Sequence, residues 1–240
     1  MIEFKWNPEI LFFIIAVGWT SVGFAFYLFL ARNKSLSLRI WSSHPDIDTQ
    51  AKEVIVQRLW GFIFMGLLPF ILIALWPGQK LVDYGLGFSF QSQLPWWILA
   101  VIAFIIIAGA FAAAKPGNLA VYPQIRSKQW SPGMLALSSF TWVVFLLGYE
   151  FLFRGFLLFA SVAVMDVWAA IALNCALYAF AHLYKGPGET FGTIPLGILL
   201  CYFTLLTGNI WTALVIHSTM ALSNEWWSLR ANQNMHISRK

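Results

Sequence analysis

Residues 135–159 read LALSSFTWVVFLLGYEFLFRGFLLF, an apolar run whose charged side chains are Glu150 and Arg154. A helix that crosses the hydrocarbon core of a bilayer needs about 20 mostly apolar residues, so this run is long enough to span. The whole chain of 240 residues is 60% hydrophobic and 10% charged. A soluble domain carries about 25% charged residues, so this composition excludes an ordinary soluble domain.

Six further apolar runs predict membrane-spanning helices, because backbone polar groups in lipid must be paired within their own segment. They are Ile10–Ala31, Leu59–Trp76, Pro95–Ala114, Val167–Tyr184, Phe191–Leu206 and Ile210–Ser223. Together with Leu135–Phe159 they indicate an all-α membrane protein, a polytopic bundle of about seven transmembrane helices. We expect one integral membrane domain over residues 1–240, since linkers are short and no repeat is present.

Lysine and arginine alternate between the predicted loops and set the topology through the positive-inside rule. The positive side holds Arg32, Lys34, Arg39, Lys52, Arg58, Lys115, Arg126, Lys128, Lys185, Arg230, Arg239 and Lys240, and the opposite side holds Lys5 and Lys80. We therefore expect a multi-pass protein of the cell membrane with an outside N-terminus and a cytoplasmic C-terminus. The net charge of +5 then indicates contact with membrane lipid and not with nucleic acid.

Ionisable groups within apolar runs are costly, and each is a candidate functional residue. Glu150 is the one carboxylate well inside a predicted span, and Arg154 follows four residues later on the same helical face. His182 ends the fifth predicted helix and His217 lies in the seventh. A packing ion pair and packing histidines would explain each group alone. Three such groups on three helices favour one shared site within the C-terminal four helices.

Neighbouring polar residues extend this pattern along two helices. Asn174, Tyr178 and His182 follow at intervals of four, and His217 and Asn224 are seven apart. Either spacing places the side chains on one helical face. Hydrogen bonding between helices is the alternative explanation for these residues.

A carboxylate and two histidines suit two chemistries. In the first, Glu150 is a general base that takes a proton from water, a histidine positions the water or protonates the leaving amine, and His217 stabilises an oxyanion. In the second, Glu150, His182 and His217 bind zinc. The HExxH pattern is absent, so we expect no cofactor and keep zinc as the alternative. With Glu150 as a ligand, Glu189 would be the nearby candidate base.

In order and spacing these residues resemble the CPBP family of intramembrane proteases, which includes CAAX prenyl endopeptidases and bacteriocin-processing enzymes. The family motifs EExxxR, FxxxH and HxxxN correspond to Tyr149-Glu150-xxx-Arg154, Tyr178-xxx-His182 and His217-xxx-Ala221. The resemblance covers about Gly148–Asn224. Tyr149 replaces the first glutamate and Ala221 replaces the asparagine, for which Asn224 is a possible substitute.

The resemblance implies an intramembrane endopeptidase that cleaves a membrane-anchored peptide or protein during C-terminal processing or maturation. It implies catalytic roles for Glu150, His182, His217 and Arg154, and supporting roles for Tyr149, Tyr178, Glu189 and Asn224. The catalytic core would cover residues 134–227, after N-terminal helices and loops over 1–133 and before a cytoplasmic tail over 228–240.

Two other classes of function remain open at this point. The first is a catalytically degenerate member of the family that acts as a binding or immunity protein, which the missing glutamate and asparagine favour. The second is a small transporter or channel that uses the buried charges as a pathway. The chain shows no inverted repeat and no matching pair of broken helices, which disfavours the transporter.

Overall fold

The structure is a computed structural model that describes residues 7–31, 33, 48–88 and 96–238. Its α-helices are α1 (Pro8–Ala31), α2 (Thr49–Phe62), α3 (Leu68–Leu75), α4 (Trp97–Ala112), α5 (Pro116–Val121), α6 (Pro132–Glu150), α7 (Leu158–Val162), α8 (Val167–Phe180), α9 (Pro187–Thr207) and α10 (Trp211–Ala231). Two π-helical segments, Ile63–Leu67 and Phe151–Leu157, join α2 to α3 and α6 to α7. Short 3-10 turns occupy Leu81–Tyr84 and Leu183–Lys185, and the strands are β1 (Gln129–Trp130) and β2 (His236–Ile237).

The helices are those of an all-α membrane protein, as predicted. Among the described residues, four helical stretches are long and apolar enough to cross a membrane: Pro8–Ala31, Thr49–Leu75, Pro132–Val162 and Pro187–Thr207. Trp97–Ala112 and Val167–Phe180 are shorter apolar helices. The last predicted span is helical in α10 but is more polar than these. A count of seven spans therefore stays a prediction.

The second span begins earlier than its hydropathy predicts. It was expected from Leu59, but the helix starts at Thr49, so Lys52 and Arg58 lie in α2 and not in a loop. Both side chains are buried, at 9% and 3% exposure. Hydropathy cannot detect such a start, because it assigns a lysine or an arginine the same value whether the side chain is buried against partners or exposed to water.

Several residues used to predict the boundaries and the topology lie outside the described residues. They are Lys5, Arg32, Lys34, Arg39, Pro95, Arg239 and Lys240. The predicted orientation in the membrane stays a prediction.

Local sequence explains where the helices begin and end. The Asn7 side chain accepts a hydrogen bond from the Ile10 amide at 2.7 Å, and Asp166 does the same for Trp168 at 2.9 Å. Such side-chain caps pair the first amides of a helix. Gly186 lies between α8 and α9 with a φ of 99°, a value that favours glycine, and Pro187 is the first residue of α9.

By contacts the chain divides into two compact units. The first contains the described residues 7–27, 63–88 and 148–213. Its core includes the Phe12 ring, which lies edge-on to Phe156 at 5.6 Å between centroids and 5.5 Å from the ring of Tyr84. Pro69 explains the π-helical segment in this unit over Ile63–Leu67, since a proline has no amide to donate to the carbonyl four residues earlier.

The second unit contains the described residues 28–31, 33, 48–62, 96–147 and 214–238. In it β1 and β2 form a two-residue parallel pairing, with Gln129 opposite His236 and Trp130 opposite Ile237. The fully buried Trp130 packs in one apolar cluster with Ala51, Val54, Ile125 and Leu229. This small pairing is the one departure from all-helical structure in the described part of the chain.

Gly155 lies in the π-helical segment Phe151–Leu157, and a substitution there tests how closely the segment is packed. A Cβ atom at this position would lie 2.8 Å from the Tyr84 carbonyl oxygen and 2.7 Å from a Phe151 ring carbon. Because the backbone oxygen cannot move aside cheaply, we expect Gly155→Ala to lower the free energy of unfolding by about 1–3 kcal/mol. Thermal unfolding in detergent measures this loss.

Gly192→Ala is the matched control, since a Cβ atom there meets nothing within 4 Å. Alanine also has the higher helix propensity, so this variant should be as stable as the wild type or more so. Equal destabilisation by both variants would contradict the close approach at Gly155.

Candidate active site

Glu150 and Arg154 form a buried ion pair at the start of the π-helical segment. Glu150 is the last residue of α6, and Arg154 lies in the segment Phe151–Leu157. Their side chains are both 0% exposed, and Arg154 Nε lies 3.5 Å from Glu150 Oε2. The pairing is the one that the four-residue spacing predicted. Removing these charges from water costs several kcal/mol per ion, so the surroundings must compensate.

An aromatic ring provides much of that compensation for Arg154. The guanidinium carbon lies 4.3 Å from the centroid of the Tyr178 ring and 5.9 Å from that of Phe153. Within the described residues its three nitrogens make no hydrogen bond. Arg154 is therefore held by the Glu150 carboxylate and by a cation–π contact, an interaction that gains strength away from water.

His182 lies directly after α8 and is oriented by a backbone carbonyl. Its Nδ1 atom is 2.9 Å from the Tyr178 carbonyl oxygen. A carbonyl can only accept, so Nδ1 carries the proton and donates it. In the neutral ring the lone pair is then on Nε2. His182 is 6% exposed, so its orientation is fixed in a buried setting.

Tyr149 completes the arrangement from the end of α6. Its hydroxyl oxygen lies 3.4 Å from His182 Nδ1, a longer contact than the one to the carbonyl. The Tyr149 ring also packs against Phe153 and Tyr178, with centroids 4.9 and 5.7 Å away. Tyr149, Glu150, Arg154, Tyr178 and His182 thus form one contiguous set within the first unit. We call this set the Glu150 cluster.

Asn174 belongs to the same stripe of α8 but has a structural partner. Its Nδ2 donates to the Phe153 carbonyl oxygen at 2.6 Å, and its Oδ1 accepts from the Cys201 thiol at 3.3 Å. Hydrogen bonding between helices, the alternative explanation of the stripe, is thus correct for this residue.

Glu189 forms a partly exposed ion pair. It lies in the first turn of α9 and pairs with Lys185 at 3.2 Å, with side-chain exposures of 29% and 19%. A carboxylate is stabilised at this end of a helix. Its role as the candidate base beside a bound zinc ion stays a prediction.

His217, Ala221 and Asn224 lie on α10 in the second unit. His217 is buried at 7% exposure. Ala221 packs in an apolar cluster with Tyr122, Trp142 and Leu146. Asn224 is half-buried and faces Gly109 of α4. Their predicted part in a site shared with Glu150 stays a prediction.

A second buried ion pair, between Arg58 and Glu225, was missed from the sequence. Both side chains are nearly inaccessible, at 3% and 1%, and Nη2 lies 3.6 Å from Oε1. The hydropathy pattern predicted Glu150 as the one carboxylate well inside a span. Glu225 is a second buried carboxylate, so that prediction was incomplete. The predicted span ended at Ser223, but α10 continues to Ala231 and carries Glu225 on a helix.

The Arg58–Glu225 pair is surrounded by hydrogen bonds within the second unit. Arg58 Nη1 donates to the Ser138 carbonyl and hydroxyl and to the Thr141 hydroxyl, and its Nη2 donates to Gln124. Glu225 accepts from the Ser138 hydroxyl at 3.0 Å and from the Gln124 amide at 3.1 Å. These partners lie 66 or more residues from Arg58 in the chain, which explains why no local pattern reveals them.

The zinc alternative stays a prediction, because its proposed ligands Glu150 and His182 lie in the first unit and His217 lies in the second. Over 7–31, 33, 48–88 and 96–238, no group of three or more His, Cys, Asp or Glu side chains is gathered closely enough to hold a metal ion. A zinc site needs about four ligands, three of them from protein in an open catalytic site. No step of the chemistry below is therefore assigned to a metal.

One comparison with known proteins finds a matching family for part of the chain. Residues 129–223 match the family described as type II CAAX prenyl endopeptidase Rce1-like. The resemblance to CAAX proteases predicted from the three motifs is thus confirmed for this part of the chain, and that family implies a protease. No curated protein and no solved structure matches the chain.

The Arg58–Glu225 pair predicts a large cost when one partner is removed. Arg58→Ala leaves a buried carboxylate, and Glu225→Ala leaves a buried guanidinium, so each should destabilise the protein by about 3–5 kcal/mol. Arg58→Met combined with Glu225→Leu removes both charges and should be more stable than either single variant. Thermal unfolding in detergent measures the stability of each variant and so ranks them.

Lys185→Ala is the control, because its pair with Glu189 is partly exposed. A helical pair of this kind contributes about 0.3–0.5 kcal/mol. If Arg58→Ala lost no more stability than Lys185→Ala, the buried pair would not stabilise the fold as proposed.

Proposed function

We propose that the protein is an intramembrane endopeptidase that hydrolyses a peptide bond of a membrane-anchored peptide or protein, as in C-terminal processing. The proposal is carried by one observation. Within the matched domain, a fully buried Glu150–Arg154 pair adjoins His182, whose tautomer is set by the Tyr178 carbonyl. A carboxylate and an oriented imidazole are the two proton-transfer groups that peptide hydrolysis by activated water requires.

Glu150 is the general base of the proposed reaction. Its carboxylate takes a proton from water while the water oxygen attacks the carbonyl carbon of the scissile bond. Arg154 orients the carboxylate by charge pairing at 3.5 Å. The attack gives a tetrahedral intermediate with a negative oxygen, for which His217 is the proposed donor.

His182 carries the proton to the leaving group. With Nδ1 donating to the Tyr178 carbonyl, Nε2 accepts the proton that Glu150 took from water and delivers it to the peptide nitrogen. The carbon–nitrogen bond then breaks. The new carboxyl group gives the second proton of the water to the released amine. The products are therefore a C-terminal carboxylate and an ammonium group, and Glu150 and His182 return to their starting protonation states.

The apolar surroundings indicate the class of substrate. Glu150 and Arg154 lie in the candidate membrane span Pro132–Val162, and Tyr178 lies in the shorter apolar helix Val167–Phe180. A substrate anchored in the same bilayer is concentrated beside such a site, whereas a soluble peptide is not. We place the protein in the cell membrane, with an outside N-terminus, a cytoplasmic C-terminus and lipid as its surrounding partner.

A binding or immunity protein is the second candidate function. Tyr149 stands where the family motif has its first glutamate, and Ala221 stands where the motif has asparagine. Ala221 is part of an apolar cluster and donates no hydrogen bond from its side chain. A protein of this kind would bind its peptide equally well with or without the Glu150 carboxylate.

Glu150→Gln and His182→Ala should each lower kcat at least about 10²-fold, since positioned proton transfer contributes about 10²–10⁴-fold. The assay uses the full chain in liposomes and follows cleavage of membrane-anchored prenylated peptides by mass spectrometry. Glu9→Gln is the control, because Glu9 is an exposed carboxylate in the first turn of α1. Each preparation is also assayed after treatment with a zinc chelator.

The outcomes separate the candidate functions. Full activity of folded Glu150→Gln would refute the proposed mechanism. Binding of the peptide by every variant with cleavage by none, including the wild type, would favour the binding protein. Loss of activity on chelation, restored by zinc, would favour the metal-dependent alternative.

Tyr149→Phe tests which contact orients His182. The contact from the hydroxyl is 3.4 Å, whereas the Tyr178 carbonyl lies at 2.9 Å and remains in the variant. A hydrogen bond contributes about 0.5–1.5 kcal/mol net, so kcat should fall by no more than about tenfold. The pH dependence of kcat should keep its shape. A loss comparable with that of His182→Ala would instead assign the proton transfer to the Tyr149 hydroxyl.

A further inference from the structure

One backbone carbonyl of the π-helical segment next to Glu150 accepts a hydrogen bond from a side chain of another helix. In this segment the Leu158 amide donates to the Phe153 carbonyl, five residues earlier. The same carbonyl also accepts a hydrogen bond from Asn174 Nδ2 at 2.6 Å. An α-helical register would instead pair the Phe153 carbonyl with the amide four residues later. π-helical turns inside α-helices are rare and frequently occur at functional sites.

The Asn174 amide is held in one orientation by α9. Asn174 and Cys201 are both 0% exposed. The Cys201 thiol donates to Asn174 Oδ1 at 3.3 Å, which leaves Nδ2 facing the Phe153 carbonyl. A flipped amide would place two acceptors against each other at the carbonyl and two donors at the thiol. The chain Cys201–Asn174–Phe153 therefore connects α9, α8 and the π-helical segment.

The register of this segment decides where the catalytic side chains point. Arg154 follows Phe153 directly, and its guanidinium lies between Glu150 and the Tyr178 ring. A return to the α-helical register would rotate Arg154 about the helix axis relative to Glu150 and Tyr178. In this structure the contact at 4.3 Å with the ring and the ion pair at 3.5 Å are both made in the π-helical register.

We propose that Asn174, oriented by Cys201, is a positioning residue of the reaction: it fixes the π-helical register that aims Glu150 and Arg154. The inference rests on the proposed function. Asn174 acts through the Phe153 carbonyl, to which its Nδ2 donates at 2.6 Å.

Asn174→Ala and Asn174→Asp test the donor at the carbonyl. Both remove it, and Asp keeps the shape of the side chain. A misplacement of about 1 Å far from the chemistry can cost about 10²-fold, so kcat per folded molecule should fall by about that factor. KM should stay unchanged, because no substrate contact is removed.

Variants of Cys201 test the orientation of the amide. Cys201→Ser keeps a donor to Oδ1 and should retain kcat within a few-fold. Cys201→Ala removes the donor and should lower kcat more than Cys201→Ser does. This pair also decides the proposal when the Asn174 variants do not fold. Equal kcat values for Cys201→Ala, Cys201→Ser and the wild type would overturn the orienting role.

Hydrogen–deuterium exchange supplies a readout that does not depend on cleavage. Asn174→Ala should accelerate exchange about tenfold or more over residues 151–158, with α9 and α1 unchanged. An equal acceleration in every helix would indicate a purely structural role and would overturn the inference. Unchanged kcat per folded molecule in Asn174→Ala would overturn it as well, with the protease proposal intact. Absence of cleavage by the wild type would refute the proposed function, and the exchange pattern alone would then decide whether Asn174 sets the register.

Discussion

The cost of holding charge in an apolar interior is the constraint on which the arrangement depends. Arg154 and Glu150 are fully buried, and each ion costs several kcal/mol to remove from water. The Arg58–Glu225 pair meets the same cost with hydrogen bonds that Arg58 donates to Ser138, Thr141 and Gln124. Arg154 meets it with a ring face and a single carboxylate. A densely hydrogen-bonded pair suits a structural role, because most of its polar atoms are already bonded. Arg154 differs, since its nitrogens make no hydrogen bond within the described residues.

One face of α8 organises the Glu150 cluster. Asn174 binds the Phe153 carbonyl, the Tyr178 ring lies against Arg154, and the Tyr178 carbonyl orients His182. The four-residue spacing of a helix places the three residues above one another. Asn174, Tyr178 and His182 therefore lie at successive heights along the helix axis, beside different parts of the chain around Glu150. The same helix face thus sets the backbone register, the position of the cation and the tautomer of the histidine.

The sequence predicted those parts of the site that depend on local spacing. The Glu150–Arg154 pair and the stripe Asn174–Tyr178–His182 follow from helical periodicity, and the family followed from three short motifs. The start of α2 at Thr49 and the Arg58–Glu225 pair were not predicted. Both depend on partners distant in the chain, which decide whether a charged residue is buried. The π-helical register was not predictable either, because α- and π-helical turns share the same apolar composition.

Because Tyr149 stands where the family motif has its first glutamate, the helical register near Glu150 decides which neighbour the remaining carboxylate faces. Neighbouring residues on a helix point in directions about 100° apart, so positions 149 and 150 do not face the same neighbour. Tyr149 occupies the face toward His182, and Glu150 occupies the face toward Arg154. In the proposed reaction, a single carboxylate at the second position must therefore act on a water that His182 also reaches. A rotation of Glu150 about the helix axis by part of a turn would disturb this geometry, and the proposed role of the hydrogen bond from Asn174 to the Phe153 carbonyl is to oppose such a rotation. In the proposed mechanism, the replacement of the first motif glutamate and the π-helical segment are thus two parts of one geometric condition.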